Sequence, residues 1–257
     1  MALQVNLNKS ESALRLQLTK ANIAPDISAE IAFDIDVSGS YDDELRSGVV
    51  DMLLARLLPW GMVFDPNKSM DVFTFSSGHS SAHHVGTVTS QTYEGFVTRK
   101  IVRAVPGYGG GTDYSFVLEK NLVHFGWLAE QAKAESGGGF LSSLFGRKKA
   151  EPAPGSTAPL AKKRSIILFN TDGANSDQER TMEVLSASEG RQDQVYFLFL
   201  GYSNQPGTFH FLTQIGDRFK NTGLVEIRNL NQFVAQDDDA LNAQLLTPEL
   251  ISWLKVS

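Results

Sequence analysis

Cysteine is absent from this chain, which excludes disulfides, thiolate metal sites and cysteine nucleophiles and fits a reducing, cytoplasmic setting. Nowhere do about 18 apolar residues run consecutively, the length a transmembrane helix needs. The opening MALQVNLNKSESALRLQL holds no continuous apolar stretch of signal-peptide type. There is no G-x-S-x-G elbow, which removes the usual signature of a serine hydrolase. The glycine run at 107–111 is not followed by a Gly-Lys-Ser/Thr element, so it is not a nucleotide phosphate loop. Positive charge is short as well: 23 Lys and Arg stand against 29 Asp and Glu, for a formal net charge of −6. That balance argues against bulk attraction to nucleic acid or an anionic membrane, and no nucleic-acid partner is expected.

What is present reads as an α/β chain. Ile31–Val37 (IAFDIDV) and Met70–Phe75 (MDVFTF) are strands, and His84–Thr89 is a short edge strand. SIILFN (165–170) and QVYFLFL (194–200) are continuous apolar runs, as expected of central parallel strands covered on both faces. Leu224–Ile227 is a further strand. Helical spacing covers Leu45–Leu58, ending before Pro59, then Tyr114–Leu128, Phe209–Phe219 and Asp239–Leu254, the last with Pro248 opening its second half. Strands alternating with helices predict a doubly wound, mainly parallel sheet. Residues 3–20 contain two alternating runs about a polar stretch, which predicts a β-hairpin extension at 1–28 ahead of a main domain at 29–257. Residues 134–164, rich in Gly, Ser, Pro, Ala and Lys, predict a long flexible insert. Inside it, Phe140–Phe145 is an apolar patch beside Arg147, Lys148 and Lys149. That pairing predicts a contact segment for a partner groove or an anionic membrane surface, with docking onto its own domain as the alternative.

The central chemical signal is Asp36-Val37-Ser38-Gly39-Ser40 at the end of the first core strand. In open α/β sheets ligands gather at the carboxyl ends of strands. One carboxylate and two hydroxyls are hard oxygen donors, suited to Mg²⁺ or Ca²⁺. A kink at Gly39 would let them converge. Alone, D-x-S-x-S is weak, arising by chance in roughly one chain of this size in twenty. It gains force from Thr112, just past the glycine run, and from Asp172, at the end of the SIILFN strand. The competing reading is helix capping by Ser40, Thr112 and Asp172.

FDIDVSGSY, GGGTDY and FNTDG resemble the metal-ion-dependent adhesion site of von Willebrand factor A (VWA) domains. The resemblance implies a first loop of Asp36, Ser38 and Ser40, a second of Thr112 and a third of Asp172. It further implies a bound hard cation (Mg²⁺, or Mn²⁺ or Ca²⁺ in its place), and a vacant coordination position that accepts an acidic group from a protein partner. A narrower likeness covers about residues 30–130. MDVFTFSSGHSSAHHVGTVTSQTYEGFV and GGGTDYSFVL are similar to VWA proteins of bacterial tellurium-resistance and stress-response (Ter) clusters, and VNLNKSESALRLQLTK is similar to the opening of their companion proteins. This implies a non-enzymatic cytoplasmic adaptor. Tyr41 departs from the Met or similar residue most VWA domains carry after SGS, and would alter the rim of the site. Asp34 stands where the family has an apolar residue.

Asp34 carries a rival reading. Asp34-Ile35-Asp36-Val37-Ser38 resembles the DxDx[ST] motif of haloacid-dehalogenase-type phosphatases, with Asp34 as nucleophile, Asp36 as general acid and Mg²⁺ assisting. The later acidic pair such chemistry wants is missing: Gly173 follows Asp172, and the Asp237-Asp238-Asp239 run starts a helix. His79, His83 and His84 lie close together in a Ser-rich stretch. No second cluster supplies partners, so they read as surface-loop histidines. Trp60, Trp127 and Trp253 read as core or rim packing.

Overall fold

The computed structural model describes residues 5–129, 164–173, 175–203 and 209–256. Strands β1 (Glu30–Asp36), β2 (Met70–Phe75), β3 (His83–Val88), β4 (Ser165–Thr171), β5 (Val195–Tyr202) and β6 (Thr222–Ile227) form one sheet in the order β3-β2-β1-β4-β5-β6. Every pairing is parallel except β2 with β3. This is the doubly wound sheet expected. The strand order turns between β1 and β4, so both wings grow outward from that point.

The pleat sends alternate residues to opposite faces. Ile31, Phe33, Ile35 and Val37 join one apolar cluster, and Ala32 joins the other. On the first face lie α1 (Leu7–Lys20), α2 (Asp42–Ser47), α3 (Val49–Phe64), α4 (Phe96–Lys100), α8 (Leu230–Ala235), α9 (Asp238–Leu245) and α10 (Pro248–Lys255). On the second lie α5 (Ser115–His124), α6 (Gln178–Gly190) and α7 (His210–Arg218). Asp34 and Asp36 follow Ala32's parity and face the second side.

Several expectations need correction. The N-terminal segment is a helix, not a β-hairpin. Ser10, Leu14 and Leu18 are buried at a four-residue spacing while Leu16 is 50% exposed, and Asn6 caps the helix by accepting from Lys9 N at 3.1 Å. The helix joins the main core. It is latched at Asp238, whose Oδ1 accepts from Ser10 Oγ at 2.8 Å and from buried Arg56 at 2.7 Å, while Arg56 also donates to the Gln236 carbonyl. The single helix expected at 45–58 is two, α2 and α3, divided at Gly48, whose φ of 82° few side chains tolerate. Nor does α3 stop before Pro59. It runs on to Phe64 because Leu57, Leu58, Trp60 and Phe64 are buried, and that packing outweighs the lost helix bond, a cost of about 3 kcal/mol. The C-terminal helix divides before Pro248 as its placement predicts. The Phe140–Lys149 segment, with all of the 134–164 insert except Arg164, lies outside the described residues. Among the described residues no single helix is long and apolar enough to cross a membrane.

Candidate functional site

Strand order reverses between β1 and β4, and in open α/β sheets ligands bind outside the carboxyl ends of the strands at such a point. Asp36 closes β1, and Asp172 follows the last residue of β4. Asp36 is fully buried. Its Oδ1 accepts from Ser38 N at 2.8 Å and its Oδ2 from Thr171 Oγ1 at 2.7 Å. Ser38 Oγ lies 3.2 Å from Ser40 Oγ, and Ser40 Oγ donates to Asp172 Oδ1 at 3.0 Å. The Thr112 loop closes over the same place: a Cβ built on Gly173 would stand 2.9 Å from Thr112 Oγ1. All five residues singled out in the sequence therefore meet at one edge.

The loops are fixed to each other by backbone. Gly109 N donates to Val37 O at 2.7 Å and Gly39 N to Gly110 O at 2.9 Å. Gly39 does not kink the chain through a left-handed conformation. It permits close approach instead, since a Cβ there would lie 3.2 Å from the Gly109 carbonyl. Thr112 is held from both sides. Ser176 N donates to its carbonyl at 2.8 Å, Asp113 Oδ2 accepts from Gly78 N at 2.7 Å, and Asp177 accepts from Tyr114 N at 2.9 Å. Thr171 and Asp177 thus shape the site without having been singled out. Thr171 carried a signal, standing between Asn170 and Asp172 in the same motif.

Helix capping does not account for these residues. Among the described residues the helix N-caps with side-chain bonds are Asn6, Asn229, Asp237 and Thr247, whereas α5 and α6 have Tyr114 and Asp177 at their N-caps. Tyr41 does not form a rim either. It is buried, and its hydroxyl donates to Asn170 Oδ1 at 2.6 Å, fastening the loop to β4.

Electrostatically the site is short of positive charge. Burial, reinforced by Asp36, pushes the Asp172 carboxyl up to about 7. Burial also raises Asp36, against the hydrogen bonds from Ser38 and Thr171. Burial and then the two aspartates raise the Tyr41 phenol well above its ordinary range. Among the described residues neither Asp36 nor Asp172 has an ion-pair partner. The donor set is entirely hard oxygen, so a hard divalent cation fits its chemistry and its charge deficit together.

Asp34 does not belong to this site. It is 0% exposed beneath α5, where Asn121 Nδ2 donates to its Oδ2 at 2.5 Å, and burial raises its carboxyl well above the usual range. A nucleophile there cannot reach a substrate. Asp237 caps α9, and Asp238 pairs with Arg56, so that acidic run is structural. Trp60 and Trp127 are buried, as packing residues should be. The histidine reading needs correction: His83 and His84 sit in β3, and His84 meets His124 and Asp71.

No family description and no curated protein matches the chain. Similar solved structures include proximal thread matrix protein 1 from mussel byssus, at 17% identity and TM-score 0.47, covering 84% of this chain and 47% of that one. A form of the same mussel protein with a zinc-occupied MIDAS motif gives 17% identity and TM-score 0.45 over 83% and 48%. Manganese-loaded TRAP protein of Plasmodium vivax gives 14% identity and TM-score 0.44 over 88% and 75%. The chain spans about half the length of the mussel chains it matches. Likenesses at this level decide nothing about chemistry, which rests on this chain's own residues.

Proposed function

We propose that this chain is a VWA-type binding module that holds one hard divalent cation, Mg²⁺ foremost, through Asp36, Ser38, Ser40, Thr112 and Asp172, and uses it to bind a protein partner. The observation that carries the reading is the convergence of Ser38 Oγ, Ser40 Oγ and Asp172 Oδ1, at 3.2 and 3.0 Å, on the switch point of the sheet. Asp172 supplies the anionic ligand. Asp36, with both oxygens already bonded within the protein, orients the first loop and adds charge. Ser38, Ser40 and Thr112 supply neutral oxygens. The bound cation provides an electrophilic position that an acidic side chain of the partner completes. The motif likeness to Ter-cluster proteins supports a finer proposal, a cytoplasmic adaptor in a bacterial stress response.

Pull-down from a lysate with Mg²⁺, with chelator, and with Thr112→Ala tests the module. Partner recovery is expected to depend on Mg²⁺ and to fall in the variant. Equal recovery in all three arms would end metal-bridged recognition. An aryl phosphate offered with Mg²⁺ is expected to remain intact, and its hydrolysis would restore the phosphatase reading.

A further inference from the structure

A second cluster stands apart from the oxygen site, toward the other end of the sheet. Asp71 pairs with Ala32 near the start of β2, whereas Phe75 pairs with Asp36 at its end. Four residues of strand separate the two levels, roughly 13 Å. Asp71 Oδ1 lies 3.2 Å from His84 Nε2, and Asp71 Oδ2 lies 2.9 Å from His124 Nε2. Each residue offers one ligand atom, and the three atoms fall within 4.8 Å of one another.

We propose that Asp71, His84 and His124 form a second metal site, selective for a borderline divalent transition cation with Zn²⁺ foremost. Two imidazoles and one carboxylate are a donor set that Zn²⁺ favours and Mg²⁺ does not. A tetrahedral ion with bonds of about 2.0–2.1 Å holds neighbouring donors roughly 3.3–3.4 Å apart. The 3.2 and 2.9 Å separations fall on different carboxylate oxygens, so an ion takes one oxygen and the other imidazole closes in on it, from a starting set of donors within 4.8 Å of one another. His124 ends α5 and is exposed, which leaves the remaining adjustment to a side chain.

The surroundings are built for orientation. Thr87 Oγ1 donates to Asp71 Oδ1 at 2.5 Å, the outer-shell contact that fixes a ligating carboxylate. The buried ring of Phe73 backs both imidazoles, with centroids 4.7 Å from His84 and 5.2 Å from His124. The imidazole rings lie 4.8 Å apart, so two protonated histidines here would repel, whereas one divalent ion satisfies all three ligands. Side chains of His84 and His124 are each 32% exposed, which admits an ion from solvent. Three protein ligands leave a fourth position open to water or a partner's donor. The ion would tie edge strand β3 and helix α5 to β2.

The test is titration of the purified protein with Zn²⁺ alone, by calorimetry, in an Asp172→Ala background that disables the oxygen site. One equivalent of Zn²⁺ is expected to bind, with imidazole nitrogen resonances of His84 and His124 shifting in NMR spectra. Adding His84→Ala or His124→Gln should weaken binding by more than the roughly 10- to 100-fold that losing an outer-shell partner costs, while Thr87→Ala should fall within that range. Circular dichroism checks that each variant is folded, and a folded variant of either histidine suffices. Failure of the parent to bind an equivalent, or equal binding after both histidine substitutions, would overturn the proposal. Mg²⁺ dependence at the oxygen site has no bearing on either outcome.

Discussion

The two ends of this sheet treat a carboxylate in opposite ways. At the carboxyl ends of β1 and β4, Asp172 sits beside Asp36 and accepts from the Ser40 hydroxyl, and burial with the like charges of Asp36 and Glu44 pushes it up to about 7. Near the start of β2, burial also acts to raise Asp71, but hydrogen bonds from His124, His84 and Thr87 outweigh it and hold that carboxyl far below the usual range. Among the described residues the first cluster has no ion-pair partner for either aspartate, and a bound cation would supply the missing charge. The second compensates its charge internally whenever its histidines are protonated, and a metal there must displace protons. On the proposed readings, affinity for a hard cation would follow from charge deficit at one end, and selectivity for a nitrogen-seeking cation from ligand type at the other.

The largest effect expected is on stability. Mg²⁺ at about a hundred times its Kd should add about 2.7 kcal/mol, or roughly 5–10 °C in Tm for a chain of this size. Asp172→Ala should abolish that shift without lowering the Tm measured in chelator, because it also relieves the repulsion with Asp36. A wild-type Tm indifferent to Mg²⁺ would break the contrast at its strong end.

Next comes pH. With the Asp172 carboxyl raised, the charged form is the costly one in the fold. Metal-free stability should then decline as pH climbs from the ordinary carboxylate range through about 7. Mg²⁺ affinity should run the other way, rising about tenfold per pH unit below that value and levelling above it, since binding must release the proton. Calorimetry at several pH values reads both the affinity and the proton release. Asp34→Asn should lessen the metal-free decline, because a buried carboxyl with a raised pKa costs stability as pH rises, and should leave Mg²⁺ affinity alone.

The smallest effect sharpens the comparison. Tyr41→Phe removes the hydrogen bond to Asn170 that fastens the first loop to β4, for a loss of about 1 kcal/mol in chemical denaturation. Because Tyr41 supplies no ligand, Mg²⁺ affinity should change far less than in Asp172→Ala.

The oxygen site was legible because its donors sit in short motifs at strand ends, where the chain's own periodicity marks the sheet edge. Asp36, Ser38 and Ser40 fall within five residues, and Thr112 and Asp172 each follow an obvious loop or strand signal. The histidine site was not legible. His124 lies forty positions beyond His84, on a helix whose end meets the edge strand only in the fold. Residues 7–20 misled for a different reason. Leu14, Leu16 and Leu18 fit a strand's alternation, while Ser10, Leu14 and Leu18 fit a helix, and burial of the latter set with exposure of Leu16 decides the matter. Local pattern cannot weigh a surface it has not yet met. Helix α6 escaped because QERTMEVLSASEG is polar, with Val184 and Leu185 its only buried apolar residues.

The latch at Asp238 sets an order of events on the ribosome. Arg56 waits 182 residues for its carboxylate, and Ser10 waits 228. At roughly 5–20 residues per second, the longer of those intervals is about 10–45 s of synthesis. Through it, α1 lacks α9, which with α3 makes its most extensive helix contacts. Arg56 must stay hydrated meanwhile, since a buried guanidinium without its partner is strongly unfavourable. Helix α1 is thus among the last elements to be locked down, and a nascent chain stalled short of residue 238 would display it to whatever chaperone or protease is near.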